Sequence, residues 1–157
     1  KSVDLPDSLQ TIGKNAFRDC SGLKSVDLPD SLQTIGKNAF RNCALIKSIE
    51  IPKSVTSIGE RAFSECSTLA SITIPEGVTS IKARTFNRCE KLKSIKIPQS
   101  VISIGEGAFC ECENLKSITI PDSIEFIEPY AFEGIDPSAT INGIPYLEWL
   151  KEFNDKH

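Results

Sequence analysis

A chain of 157 residues with 39% hydrophobic and 25% charged side chains has the composition of a folded globular unit, not of a disordered one. Its apolar runs hold only a few residues, against the roughly 20 that a membrane-crossing helix needs. A net charge of −3 gives no basic stripe, which weighs against nucleic acid and anionic membrane as partners. Residue 1 already stands inside a pattern and the chain has no Met, so it reads as an excised or processed piece in which a missing leader says little about location.

The first stretch, KSVDLPDSLQTIGKNAFR at residues 1–18, returns unchanged at residues 24–41. The 23-residue period then persists, giving six copies that start at Lys1, Lys24, Lys47, Ala70, Lys93 and Lys116. Three columns are unbroken: Pro6 to Pro121, Ile12 to Ile127 and Phe17 to Phe132. A fourth is Ser2, Ser25, Ser48, Ser71, Ser94 and Ser117. The same local environment is therefore written six times. The organisation expected is six repeats, at 1–23, 24–46, 47–69, 70–92, 93–115 and 116–138, followed by a C-terminal cap over 139–157.

Within the second copy, Val26 and Leu28 alternate with Ser25 and Asp27, the period-two signature of a half-buried strand, and Pro29 ends it. Leu32 and Ile35 turn inward as a short extended piece, and Gly36 breaks the path. Ala39, Phe40 and Cys43 follow Ile35 at offsets of four, five and eight, which predicts a short helical turn with one apolar side. One such unit has too few apolar side chains to offset the ordering of its own backbone. Stacked copies share one continuous core, with Phe40 between Phe17 and Phe63. The fold class is an α/β repeat solenoid. No cap precedes Lys1, so Val3, Leu5, Ile12 and Phe17 are expected to show an apolar face that upstream repeats would cover, open to end-to-end association.

The tail, ATINGIPYLEWLKEFNDKH, offers a short strand, an Asn142-Gly143 turn, Pro145 in a first helical turn, and a helix with Tyr146, Trp149, Leu150 and Phe153 on one side. A lid over the end of the stack is preferred to a partner-binding helix, because solenoids need terminal caps to stay soluble.

Cys20, Cys43, Cys66, Cys89 and Cys112 keep the period and form a column. Their parallel side chains favour free buried thiols over disulfides. Cys110 takes the place of Arg18, Arg41, Ser64, Asn87 and Glu133, which predicts an exposed, oxidisable thiol on the outer side. Cys110 and Cys112 lack the further Cys pair or His that a zinc site requires, so no metal and no cofactor is expected. The only His is His157, which leaves no internal imidazole to activate a nucleophile, and no phosphate-cradling glycine loop is present. Asp4, Asp27 and Glu50 share a column, yet nothing in the pattern desolvates them enough for acid–base work. The chain is not expected to be an enzyme.

The stretches LKSITIPDSI at residues 115–124 and SVTSIGERAFSECSTL at 54–69 resemble the BspA-like leucine-rich repeat family over about residues 1–134. Lys82 and Thr85 depart from its Gly and Ala in the fourth copy, and Glu128 and Ile135 from its Gly and Cys in the sixth. The resemblance implies a right-handed, arc-shaped solenoid. A parallel sheet lines its concave side, short extended segments and helical turns its convex side, and a helix caps the C-terminal end. It also implies a secreted or surface-attached location and an adhesion or protein-binding role.

On such an arc the concave sheet displays the second, fourth and seventh residues of each copy. These are the Ser row; Asp4, Asp27, Glu50, Thr73, Lys96 and Thr119; and Asp7, Asp30, Lys53, Glu76, Gln99 and Asp122. A ridged hydroxyl-and-charge surface without aromatics suits a protein or extended polymer better than a small molecule, with affinity gained by length. The alternatives are a passive stalk projecting another domain and a glycan-binding surface. The only Trp, Trp149, falls in the cap and counts against the latter.

Overall fold

The computed structural model describes residues 1–156; His157 lies outside the described residues. Each repeat contributes two short strands: β1 Ser2–Val3 and β2 Thr11–Ile12, β3 Ser25–Val26 and β4 Thr34–Ile35, β5 Ser48–Ile49 and β6 Ser57–Ile58, β7 Ser71–Ile72 and β8 Ser80–Ile81, β9 Ser94–Lys96 and β10 Ser103–Ile104, β11 Ser117–Thr119 and β12 Phe126–Ile127. The tail adds β13 Thr140–Ile141, β14 Ile144–Pro145 and the helix α1 Tyr146–Lys156.

Odd-numbered strands pair with one another in parallel, as β1–β3, β5–β7 and β9–β11–β13, each Ser facing the Ser or Thr 23 residues on. The strands are brief because Pro, lacking an N–H donor, stands a few residues after each Ser. The even-numbered strands form a second parallel ladder, β2–β4–β6 and β8–β10–β12. The extended piece read from the sequence is thus a sheet in its own right.

The expected helical turn is not helical. Ala16, Arg18 and Cys20 donate their N–H groups three residues back, to Gly13, Asn15 and Phe17, while the alternate N–H groups of Asn15, Phe17 and Asp19 donate to Lys37, Ala39 and Arg41 in the next repeat. The fifteenth and nineteenth residues of every copy, from Asn15 and Asp19 to Tyr130 and Gly134, hold φ between 54° and 71°. A left-handed residue every fourth position forbids an α-helix. It produces a run of stacked β-turns whose spare donors bind the adjacent layer, and Ala39, Phe40 and Cys43 still face inward.

Glycine at the thirteenth position answers to this close stacking. A Cβ on Gly59 would lie 2.4 Å from Lys37 N and 2.6 Å from Gly36 C, and one on Gly36 2.8 Å from Gly13 C. Lys82 fills that place at the junction where β6 and β8 are unpaired, and there the Phe63 and Phe86 rings are 5.8 Å apart, the widest step of the column. Glu128 fills it in the last layer and keeps its N–H bond to Ile104 O at 2.9 Å.

A file of rings runs through the aliphatic core. Phe17, Phe40, Phe63, Phe86, Phe109 and Phe132 stack with centroids 5.2–5.8 Å apart and planes within 11°. Tyr146 then meets Phe132 edge-on at 6.1 Å and ends the file. The helix lies over the last layer with Trp149 buried against the core and stacked on Phe153. Asn142 and Gly143 take left-handed φ values of 52° and 81°, closing the β13–β14 hairpin as an Asn-Gly turn does. Pro145 belongs to β14, so the helix begins one residue later than read from the sequence. At the other end Val3, Leu5 and Phe17 are half-buried, whereas Ile12, expected to be exposed, is buried.

Candidate functional site

The odd-numbered strands present one face to solvent. Their Val and Ile side chains point into the core while the serines and the residues at the fourth and seventh positions point out. Asp4, Asp27, Glu50, Thr73, Lys96 and Thr119 are all exposed, as are Asp7, Asp30, Lys53 and Glu76. Register places these rows side by side, Lys96 opposite Thr119 directly. In the first two layers Asp4, Asp7, Asp27 and Asp30 line one open groove with Leu5, Leu28 and Pro29 at its base. Among the described residues none of the ten charged or hydroxyl side chains on this face makes an ion pair, and no trio of His, Cys, Asp or Glu converges as metal ligands.

The face built by the turns is different. Lys37 Nζ lies 3.0 Å from Glu60, Arg41 donates Nε and Nη2 to Glu65 Oε1 at 3.2 and 2.8 Å, and Arg84 Nη2 lies 3.2 Å from Glu106. Asn42 donates to Asp19 at 3.1 Å and Asn87 to Cys110 O at 3.0 Å. Each bond joins one layer to the next. Lys37 first of all, by its hydrogen bond, and then Arg61 and Arg84 hold the Glu60 carboxyl below its usual range. The signal for the ion pairs is present in the sequence as opposite charges 22 to 24 residues apart.

All six cysteines are free thiols. Those of the column also do something the sequence did not show. Cys43, Cys66, Cys89 and Cys112 donate S–H to the carbonyls of Phe17, Phe40, Phe63 and Phe86 at 3.1–3.2 Å, tying the thiol of one layer to the ring residue of the layer before. Burial pushes the Cys112 thiol up to about 12 and raises Cys66 and Cys89 as well. Cys110 departs from the expectation of an exposed, oxidisable thiol. It is half-buried, and desolvation, followed by the charges of Glu111 and Glu133, raises its pKa and suppresses the thiolate.

Other polar ties are equally local. Ser31 donates to Asp7 O and Leu9 O, both at 2.7 Å, and Ser100 and Ser123 repeat the bond to the layer before. Asn142 closes the strand face by acting as a surrogate peptide, accepting from Ile120 N and donating to Ile120 O at 2.9 Å each.

A continuous stack of in-register layers with two polar faces defines a repeat scaffold of the leucine-rich kind. The chain belongs to the BspA-type leucine-rich repeat family: the BspA type Leucine rich repeat region matches six copies, over residues 1–99 and 79–152. No curated protein is similar to the chain in sequence. Among solved structures, the T. pallidum leucine-rich repeat protein TpLRR is 27% identical with a TM-score of 0.74, covering 83% of this chain and 62% of its own. A leucine-rich cell surface protein from Faecalibacterium prausnitzii is 26% identical with a TM-score of 0.71, covering 85% and 47%. A leucine-rich repeat protein from Bacteroides ovatus is 29% identical with a TM-score of 0.67, covering 85% and 41%. The chain thus spans between 41% and 62% of the length of these relatives.

Proposed function

We propose that this chain is a non-catalytic scaffold that binds a protein ligand on its strand face, taken as the concave side of a right-handed arc, at a cell surface. The observation that carries this is the contrast in charge pairing. On the turn face Lys37, Arg41 and Arg84 each pair with a carboxylate of the next layer, while Asp4, Asp7, Asp27, Asp30, Glu50, Lys53, Glu76 and Lys96 on the strand face stand exposed and make no ion pair among the described residues. Unpaired charges of fixed spacing steer and select a partner more than they hold the fold. The surface location is supported by the cell surface protein among the structural relatives.

Among the described residues this face carries no aromatic, so affinity accumulates over several layers and is sensitive to salt. Reversing Asp27, Glu50 and Lys96 together tests it. Binding of the chain to an array of extracellular proteins should be lost or redirected while the melting temperature stays within a few degrees. Unchanged binding by the triple variant would exclude the strand face.

A passive spacer is the second reading, favoured by the file of stacked rings that runs through all six layers. End-to-end association fits it. A spacer would bind nothing on the array at any ionic strength.

A further inference from the structure

The C-terminal end of the stack carries exposed apolar side chains that the repeat does not call for. The fifteenth position is Asn15, Asn38, Arg61, Arg84 and Gly107 in the first five layers and Tyr130 in the sixth. Tyr130 holds a left-handed φ of 61°, where a bulky side chain is disfavoured, and 64% of it is exposed. Neither conformation nor burial accounts for it. Leu147 stands 78% exposed on α1, whereas Trp149 is buried and Leu150 and Phe153 are half-buried against the core.

Tyr130 separates two grooves that share Tyr130, Phe132 and Tyr146 in their walls, with Ile135, Pro137 and Leu147 in one and Ile127 and Leu150 in the other. The charged groups of their walls are Glu133 and Asp136 in the first groove and Glu128 in the second, with no Lys or Arg in either. Lys116 engages Asp136 at 3.6 Å, but Glu128 and Glu133 have no cationic partner among the described residues, unlike Glu60, Glu65 and Glu106 on the same side of the earlier layers. The ladder of cross-layer ion pairs runs out where the exposed aromatic begins.

We propose that these paired grooves are a second docking surface, distinct from the strand face, for a cationic and apolar peptide segment of a partner protein. Tyr130 is its aromatic anchor, Leu147 extends the apolar contact, and Glu128 and Glu133 receive Lys or Arg side chains. Exposed apolar area with an aromatic at its centre is the signature of an interaction patch, and a rim of one sign selects the opposite charge. The same carboxylates disfavour an anionic lipid surface.

The test uses the whole chain and two short labelled peptides, one of alternating Leu and Lys and one of alternating Leu and Glu, followed by fluorescence anisotropy. The Leu–Lys peptide should bind and the Leu–Glu peptide should not. Tyr130→Asn should weaken binding about tenfold or more, as loss of an anchor does. Its melting temperature should hold or rise, because Asn fills this left-handed position in the first two layers. Leu147→Ser, on an exposed helix face, should weaken binding without touching the fold, and Glu128→Gln with Glu133→Gln should remove its salt dependence. Asp27→Lys, on the strand face, should leave it unchanged. Equal binding by wild type and Tyr130→Asn, equal binding of the two peptides, loss of binding only with Asp27→Lys, or capture of phosphatidylserine vesicles in place of the peptide would each overturn the proposal.

Discussion

The strand face and the turn face are made by the same stacking operation, yet they treat charge in opposite ways. On the turn face a cation in one layer meets a carboxylate in the next, as in Arg41 with Glu65 at 2.8 Å. On the strand face in-register pairing puts Asp27 beside Asp4 and Asp30 beside Asp7, where like charges on adjacent strands are mildly unfavourable. A solenoid can therefore neutralise a column or leave it charged without altering its backbone. The choice lies wholly in which letters recur at a period of 23.

That comparison presumes rigid layers, so the largest test strikes the core they share. Phe86→Ala removes a ring that is 1% exposed and stacked on both sides, and should cost about 3–5 kcal/mol in denaturant melts. A cost under 1 kcal/mol would mean that the ring file does not hold the layers. Next in size is the alkaline limb. The Cys112 thiol is raised from an ordinary 9.0 to about 12, with Cys66 and Cys89 raised as well. A raised folded-state pKa stabilises fully below pH 9 and is lost as pH climbs from 9 toward 12, at up to about 1.4 kcal/mol per pH unit for each thiol. Cys112→Ala should flatten that slope in urea melts taken at successive pH values; an unaltered slope would contradict the buried thiol column.

Smaller effects separate the faces directly. A double-mutant cycle on Arg41 and Glu65 should give a coupling of about 0.2–1 kcal/mol that fades in high salt. Asp27→Lys should change stability by less than about 0.5 kcal/mol, and in the favourable direction if it relieves repulsion with Asp4. Equal coupling on both faces would erase the distinction between them.

Much of this was legible in the letters because each environment is written six times. The Phe, Ile and Ser columns gave the stack, the parallel register and the inward and outward faces, and Tyr146, Trp149, Leu150 and Phe153 gave the lid. The turn segment is not legible from spacing, because offsets of four, five and eight suit a helix and a run of β-turns alike. The deciding signal was Asn15, Asp19, Asn38, Asn42, Gly107 and Gly134, residue types that favour left-handed φ, diluted by Arg61, Glu65, Arg84 and Arg88 at the same positions. The S–H bonds to Phe carbonyls depend on a cross-layer distance that spacing alone does not give. Tyr130 is a departure from its column, and the repeat makes only the regular letters of a column legible.

The most direct measurement is deletion of residues 24–46, one whole layer. Because residues 1–18 repeat residues 24–41, the first layer would meet the third through nearly the surface already used by the second. A chain of stacked layers predicts a folded protein that unfolds cooperatively with a denaturant slope reduced by about one layer's share of buried surface. An unfolded or molten product, with the rest of the chain intact, would show instead that a single nucleus holds the molecule together.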